Sequence, residues 1–166
     1  MDGTSELMVL ADSQARPISR ALMYNSKGFN TEVKLIAKYA PKHHNSTMAR
    51  AKKVAAEADI KALHLLHQAD FIAEKLICQA GLSDHNNSFK IGYDPETGSW
   101  PDWFERVIDP EIIPMVLAVG TPIAKLNNGV AREIALKINP VVCASTTDSI
   151  VAFLAAAPLE LGGGLP

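Results

Sequence analysis

Residues 47–80 read TMARAKKVAAEADIKALHLLHQADFIAEKLICQA, and this stretch decides the predicted fold. It contains neither proline nor glycine. Apolar or alanine residues recur in it at alternating steps of three and four, a spacing that keeps one side of an α-helix apolar. These residues are Met48, Ala51, Ala55, Ala58, Ala62, Leu65, Ala69, Ile72 and Leu76. The pattern predicts one long helix that ends at Gly81 and, at about 1.5 Å per residue, spans roughly 50 Å.

Cap and stop residues on both sides of this stretch predict further, shorter helices. Ser, Thr, Asp or Asn side chains precede them, proline opens several, and glycine or proline follows them. The predicted helices cover residues 5–15, 17–27, 32–40, 102–107, 110–119, 122–127, 130–138 and 148–157, with residues 141–144 extended. We therefore predict a mainly α-helical protein, a multi-helix bundle around the helix 47–80. Residues 1–166 are expected to form one domain, with residues 1–4 and 162–166 flexible unless a partner orders them.

A small β-hairpin is predicted at residues 89–100. Residues 92–101 read GYDPETGSWP, in which Asp94 and Thr97 can bond into a turn and Gly98 can supply a positive φ. Tyr93 and Trp100 then face each other across the two strands. This decapeptide resembles the designed minimal hairpin peptides of the chignolin type. The resemblance implies a local shape and no activity.

The composition is that of a globular protein. The chain has 166 residues, of which 48% are hydrophobic and 20% charged, and its net charge is −2. Residues 1–80 carry 11 Lys/Arg against 8 Asp/Glu, whereas residues 81–166 carry 5 against 10. This opposition of charge favours charge-matched association between subunits. The acidic N-terminal residues do not match a signal peptide, and no apolar run is long enough to span a membrane.

Both cysteines, Cys78 and Cys143, lie in apolar surroundings outside any Cys-x-x-Cys motif. We interpret them as reduced core residues of an intracellular protein, although a disulfide between them remains open.

The first candidate site is a run of cations between Glu32 and Glu57, an interval without an acidic residue. Its members are Lys34, Lys38, Lys42, His43, His44, Arg50, Lys52 and Lys53. Several of them flank the N-terminus of the predicted long helix, where free N–H groups attract anions. The run indicates a nucleic-acid or phosphate contact, or a contact with the acidic half of a neighbouring subunit; a solvated surface is the simpler alternative.

The second candidate site consists of His67, Asp70 and Glu74, which share one side of a helix at steps of three and four. These side chains can ligate a divalent metal. The Glu-x-x-His motif of helical di-iron proteins is absent, so burial or solvation is the simpler interpretation.

No nucleophile arrangement is visible in the sequence. Ser145, Thr146, Thr147 and Asp148 are interpreted as helix caps, because no histidine follows His85 and no Gly-x-Ser-x-Gly turn occurs. We predict neither a catalytic residue nor a cofactor.

The leading functional hypothesis is a non-enzymatic assembly subunit, of the kind found in viral or phage particles. It would self-associate or pack in a larger complex, and its basic end would contact nucleic acid. One alternative is a small helical metal-binding protein or enzyme that uses His67, Asp70 and Glu74. The other is a nucleic-acid-binding protein that acts through residues 34–53. A membrane partner is not expected, and the predicted location is inside the cell or in a particle assembled there.

Overall fold

The computed structural model describes residues 2–4, 6–42, 45–57 and 63–156, and this part of the chain is a mixed α/β fold. In chain order its helices and strands are β1 (Asp2–Gly3), β2 (Met8–Asp12), α1 (Asn30–Tyr39), α2 (Ser46–Ala55), β3 (Leu63–His67), α3 (Gln68–Ile77), β4 (Leu82–Asp84), α4 (His85–Phe89), β5 (Met115–Leu117), β6 (Pro122–Lys125), α5 (Asn128–Glu133), β7 (Val141–Cys143), β8 (Thr146–Thr147) and α6 (Asp148–Ala156). Two short 3₁₀ turns, Phe104–Arg106 and Pro110–Ile112, lie between α4 and β5.

The strands associate in pairs. Strand β2 runs antiparallel to β3, with Met8 opposite His67, and β6 runs antiparallel to β7. Strands β4 and β5 are parallel, as are β1 and β8. The last pair joins the first strand of the chain to the last one described, so residues distant in sequence meet there.

The predicted long helix at residues 47–80 is wrong, and with it the helical bundle. Helix α2 ends at Ala55, and strand β3 begins at Leu63. Leu65 and Leu66 are adjacent in β3 and both are completely buried, so both faces of this strand are covered. A strand that is apolar on both faces has no alternating pattern, and its apolar run cannot be distinguished from a buried helix by periodicity.

Four of the shorter predicted helices are wrong as well. Residues 5–15 include strand β2, and residues 17–27 run beside it, with bridges from Met8 to Leu22 and from Ala11 to Pro17. Strands β5 and β6 replace the helices predicted at 110–119 and 122–127. The helix predicted at 32–40 is confirmed as α1, and the extended segment predicted at 141–144 as β7.

The predicted hairpin is a tight turn with a single bridge, between Asp94 and Ser99. Thr97 Oγ1 donates to Asp94 Oδ2 at 2.9 Å, and the rings of Tyr93 and Trp100 lie 5.2 Å apart, edge to face. The turn residues therefore act as predicted, but the two strands do not extend beyond one pair.

The main hydrophobic core lies between the β2–β3 pair, helices α1 and α2, and the turns that follow α4. Its buried members are Met8, Leu10, Ile36, Ala40, Met48, Ala49, Ala51, Val54, Leu65, Ile91, Phe104, Val107, Ile108 and Ile112. A smaller cluster joins α3 to strands β4 and β7 through Ala73, Ile77, Leu82 and Val142.

Both cysteines are free thiols; Cys78 is exposed and Cys143 is half-buried, so the prediction that both are core residues is wrong. No helix in the described ranges is long and apolar enough to cross a membrane.

Candidate functional site

Strands β1 and β8 place Thr4 and Asp148 at the same edge of a parallel pair. Gly3 lies opposite Thr147 in this pair, and Thr4 and Asp148 are the residues that follow. Ligands of open α/β sheets bind beyond the carboxyl ends of their strands. A ligand-binding site is therefore expected at this edge.

A glycine brings β1 close to helix α3. A Cβ built on Gly3 would lie 2.8 Å from the backbone nitrogen of Ala69, closer than packed atoms approach. Just beyond it, the Thr4 backbone N–H donates to Gln68 Oε1 at 2.7 Å. Thr4 is thereby anchored to the first turn of α3.

Asp148 is held at the first position of α6. Its Oδ1 accepts from the Ser149 backbone N–H at 2.7 Å. Helix α4 holds the preceding strand, β8, in place, because Asn86 Nδ2 donates to Thr146 Oγ1 at 2.7 Å. Thr146 and Thr147 are buried, whereas Asp148 is exposed. A buried threonine pair thus presents one carboxylate to solvent.

An open cleft of about 480 Å³ lies at this edge, lined by Thr4, Glu6, Tyr24 and Asp148. Its lining consists of two carboxylates, a phenol and a hydroxyl. These groups accept and donate hydrogen bonds, and the Tyr24 ring adds an apolar face. The cleft suits a small ligand that is rich in hydroxyl groups. We call it the Asp148 cleft.

A buried arginine positions two residues of this cleft. Arg50 is 3% exposed, and its Nη1 lies 3.0 Å from Glu6 Oε2 and 3.3 Å from the Glu6 carbonyl oxygen. Its Nη2 donates to the carbonyl oxygen of Tyr24. Glu6 has a φ of 68°, a left-handed conformation that costs a non-glycine residue about 1–2 kcal/mol. Backbone in such a conformation clusters at functional sites.

The predicted metal ligands are buried in the wall behind β4. His67, Asp70 and Glu74 are 1%, 2% and 0% exposed. Asp70 Oδ2 accepts from the His67 backbone N–H and from Ser83 Oγ, and Glu74 Oε1 accepts from the backbone N–H groups that follow α3. In the part of the chain with described coordinates, no three His, Cys, Asp or Glu side chains are grouped to hold a metal ion.

Burial changes the titration of these groups. Desolvation lowers the pKa of His67 to about 3 and raises the pKa of Glu74 to about 7. The pKa of Asp70 lies well above its ordinary value, first because of burial and second because of the charge of Asp84. His67 is therefore neutral, and Asp70 and Glu74 bind their protons more tightly than exposed carboxyl groups do.

The predicted basic run does not form one surface. Arg50 is buried, and Lys53 Nζ lies 3.8 Å from Glu32 Oε1 on the neighbouring helix. Lys34 and Lys38 are exposed on α1, and Lys52 is half-buried on α2. Lys42 lies apart from these, in the wall of a second cleft. His43 and His44 lie outside the described residues. A nucleic-acid contact and self-association both stay predictions.

Sequence reasoning missed every residue of the Asp148 cleft as a site. Asp148 was assigned to a cap cluster, and Thr4, Glu6 and Tyr24 were assigned no role. The available signal was local: an extended apolar segment, two threonines and an aspartate directly before an apolar helix.

No family model matches the sequence. Solved structures with a similar fold include xylulose kinase from Rhodospirillum rubrum, with a TM-score of 0.80 and 16% identity over 93% of this chain. Glycerol kinase from Plasmodium falciparum with ADP matches with a TM-score of 0.70 and 10% identity over 89% of the chain. Gluconate kinase from Lactobacillus acidophilus matches with a TM-score of 0.71 and 9% identity over 91%.

The chain spans about a third of the length of these kinases, with values of 35%, 33% and 34%. The likeness overturns the prediction of a structural assembly or particle subunit, because the described fold is one that enzymes use and has no long helix. The chain has the fold of one part of several carbohydrate kinases.

Proposed function

We propose that this chain forms the sugar-binding side of a carbohydrate kinase, with the Asp148 cleft as the acceptor site. The observation that carries the proposal is the pairing of β1 with β8, which places an exposed carboxylate at the mouth of a cleft rich in hydrogen-bonding groups. Several kinases of xylulose, glycerol and gluconate with this fold support it.

Asp148 would act as the general base. A hydroxyl group of the sugar must lose its proton as its oxygen attacks the γ-phosphorus of a nucleoside triphosphate. The O–H bond breaks and the proton passes to the carboxylate; the new O–P bond forms while the bond from that phosphorus to the leaving nucleoside diphosphate breaks. A carboxylate placed within reach of the hydroxyl is the usual base for this step, and such a base contributes about 10²–10⁴-fold in rate.

Glu6, Tyr24 and Thr4 would orient the acceptor. A carboxylate, a phenol and a hydroxyl group can bond to successive hydroxyl groups of a sugar, and orientation of the reacting group is itself a large part of catalysis. Arg50 serves this role indirectly, because it bonds to both Glu6 and Tyr24 from the protein's interior.

The test has a binding arm and a transfer arm. Calorimetric titration of the chain with xylulose, glycerol and gluconate is expected to reveal saturable binding of at least one of them. Tyr24→Ala should weaken this binding about tenfold, since it removes the exposed ring and phenol of the cleft. Asp102→Asn changes an exposed aspartate away from the cleft and should have no effect.

In the transfer arm, phosphorylation of the bound sugar is followed with a nucleoside triphosphate present. Asp148→Asn should lower the rate at least 100-fold and change the sugar affinity only a few-fold, because it removes the proton acceptor and keeps the shape. The proposal fails if none of the three compounds binds, or if Asp148→Asn and Asp102→Asn behave alike in both arms.

A further inference from the structure

A second and larger cleft lies on the other side of Glu6. Its volume is about 570 Å³, within the usual range for small-molecule sites. It is enclosed by the N-terminus of α2, the end of α4 and the turn that follows α4. The residues that line it are Glu6, Lys42, Asn45, Thr47, Phe89, Lys90, Gly92, Tyr93, Asp94, Pro101 and Trp103. We call it the Lys42 cleft.

One wall of the Lys42 cleft is aromatic. Phe89 is 59% exposed although it is a large apolar residue, and Tyr93 and Trp103 line the same wall. A Cβ built on Gly92 would lie 2.8 Å from the Trp103 ring, and the φ of Gly92 is +109°. The chain therefore passes directly over this ring and restricts its position. Fixed aromatic faces bind ring-shaped ligands by stacking.

The charged groups of the Lys42 cleft divide by sign. Lys42 is exposed and Lys90 is half-buried, and neither forms an ion pair with any carboxylate among residues 2–4, 6–42, 45–57 and 63–156. The acidic residues are engaged: Glu6 pairs with Arg50, and Asp94 accepts hydrogen bonds from the Thr97 side chain and from the turn backbone. The charges left to attract a ligand are positive.

An almost wholly buried threonine lines the cleft together with these cations. Thr47 is 2% exposed and lines the cleft, and its side chain has no hydrogen-bond partner within the described part of the chain. It is in the first turn of α2, which contains no acidic residue and whose dipole favours an anion. The Thr47 hydroxyl group can therefore donate a hydrogen bond to a ligand in the cleft.

We propose that the Lys42 cleft binds a small phosphate ester that carries a ring. Lys42, Lys90 and the Thr47 hydroxyl contact the phosphate, and Phe89 and Trp103 contact the ring. The argument does not depend on the proposed kinase activity, because it uses no residue of the acceptor site except the shared Glu6. A sugar phosphate and a nucleoside monophosphate both have this chemistry.

Calorimetric titration of the chain with ribose 5-phosphate, adenosine 5′-monophosphate and inorganic phosphate tests the proposal. At least one of the two esters should bind with saturation, and about tenfold or more tightly than inorganic phosphate. The ester that binds more tightly identifies the ring. The proposal is overturned if neither ester saturates below about 10 mM, or if inorganic phosphate binds equally well.

Variants locate the binding. Lys42→Gln with Lys90→Gln should weaken the ester at least tenfold, and the matched pair Lys34→Gln with Lys38→Gln, exposed cations on α1, should leave its affinity unchanged. Equal effects of the two pairs would place the anion elsewhere and refute the site.

Two single variants separate the phosphate contact from the ring contact. Thr47→Val removes the unpartnered hydroxyl group and should cost about tenfold for both the ester and inorganic phosphate. Phe89→Ala should weaken only the ester. Near-ultraviolet circular dichroism checks that each variant is folded. Unchanged ester affinity in both variants contradicts the proposal, whatever the kinase assay shows for Asp148.

Discussion

The Arg50 guanidinium lies 3.0 Å from the Glu6 carboxylate and also donates to the Tyr24 carbonyl oxygen. Arg50 is 3% exposed, whereas Glu6 is about one-third exposed. The pair therefore connects a buried side chain, Arg50, to Glu6, which lies between the two clefts. Both clefts are lined by Glu6, so loss of this contact affects both.

Arg50→Lys should destabilise the protein by about 2 kcal/mol, because the shorter ammonium group cannot reproduce three hydrogen bonds made in a fixed fork. Denaturant unfolding measures the change. Arg16→Lys is the matched control; Arg16 pairs with Asp12 at 2.7 Å on the surface, and its replacement should cost less than about 1 kcal/mol. Equal losses of unfolding free energy in the two variants would mean that the three hydrogen bonds of the Arg50 guanidinium stabilise the protein no more than the surface pair does.

Gly3→Ala should destabilise the protein by about 1–3 kcal/mol, because its Cβ would lie 2.8 Å from the Ala69 backbone nitrogen and one of the two segments must shift. The shift moves Thr4, so sugar affinity in the Asp148 cleft should fall as well. Gly28→Ala is the control, since a Cβ there meets nothing within 4 Å and adds only the strain of a φ of +95°. If Gly3→Ala binds sugar as the unsubstituted protein does, β1 does not position the cleft.

Local signals were sufficient for part of the fold. The Asp94 turn was predicted correctly because its turn residues act within a few positions. Helix α1 was predicted correctly in its extent because Pro41 follows its last residue by two positions, although its N-cap, Phe29, makes no side-chain hydrogen bond. Strand β3 was not, because Leu65 and Leu66 are buried on opposite faces and leave no alternation. The three- and four-residue strands β4 to β6 are too short to show a period.

The candidate site could not be predicted for a different reason. Its geometry depends on the pairing of β1 with β8, whose partners Gly3 and Thr147 lie near opposite ends of the described chain. No local pattern encodes that contact. Asp148 was recognisable before the structure as a polar residue ahead of an apolar helix, but nothing in the sequence joined it to Glu6 or Tyr24.

Helix α6 should make the isolated chain self-associate. None of its residues is buried, and its exposed residues include Phe153 at 50% and Leu154 at 61%. Exposed apolar patches of this kind bind other surfaces. Phe153→Glu with Leu154→Glu should lower the scattering mass at high concentration without loss of folding stability, whereas Ile138→Glu, at a separate exposed position, should not. A mass that is independent of concentration before any substitution would contradict this prediction.

Glu74 should make stability fall as the pH rises. Burial raises the pKa of Glu74 to about 7 in the folded protein from an unfolded value of 4.5. Between these values the folded state holds the proton more tightly than the unfolded state, so stability is highest below pH 4.5 and is lost up to about pH 7. The loss is of the order of 1–3 kcal/mol. Asp70 and Asp84, whose pKa values are also raised, act in the same direction.

Glu74→Gln isolates this contribution. The amide oxygen of the glutamine takes the place of Glu74 Oε1 and can still accept from the Gly81 and Leu82 backbone N–H groups. The amide nitrogen takes the place of Glu74 Oε2, which has no hydrogen-bond partner within the described residues. The unfolding free energy, measured from pH 4.5 to 8, should therefore decline less steeply in the variant. The stability of the variant relative to the unsubstituted protein should increase as the pH rises. Glu105→Gln changes an exposed carboxylate and should leave the slope unaltered. Parallel curves for Glu74→Gln and the unsubstituted protein would show that Glu74 titrates at its ordinary pKa.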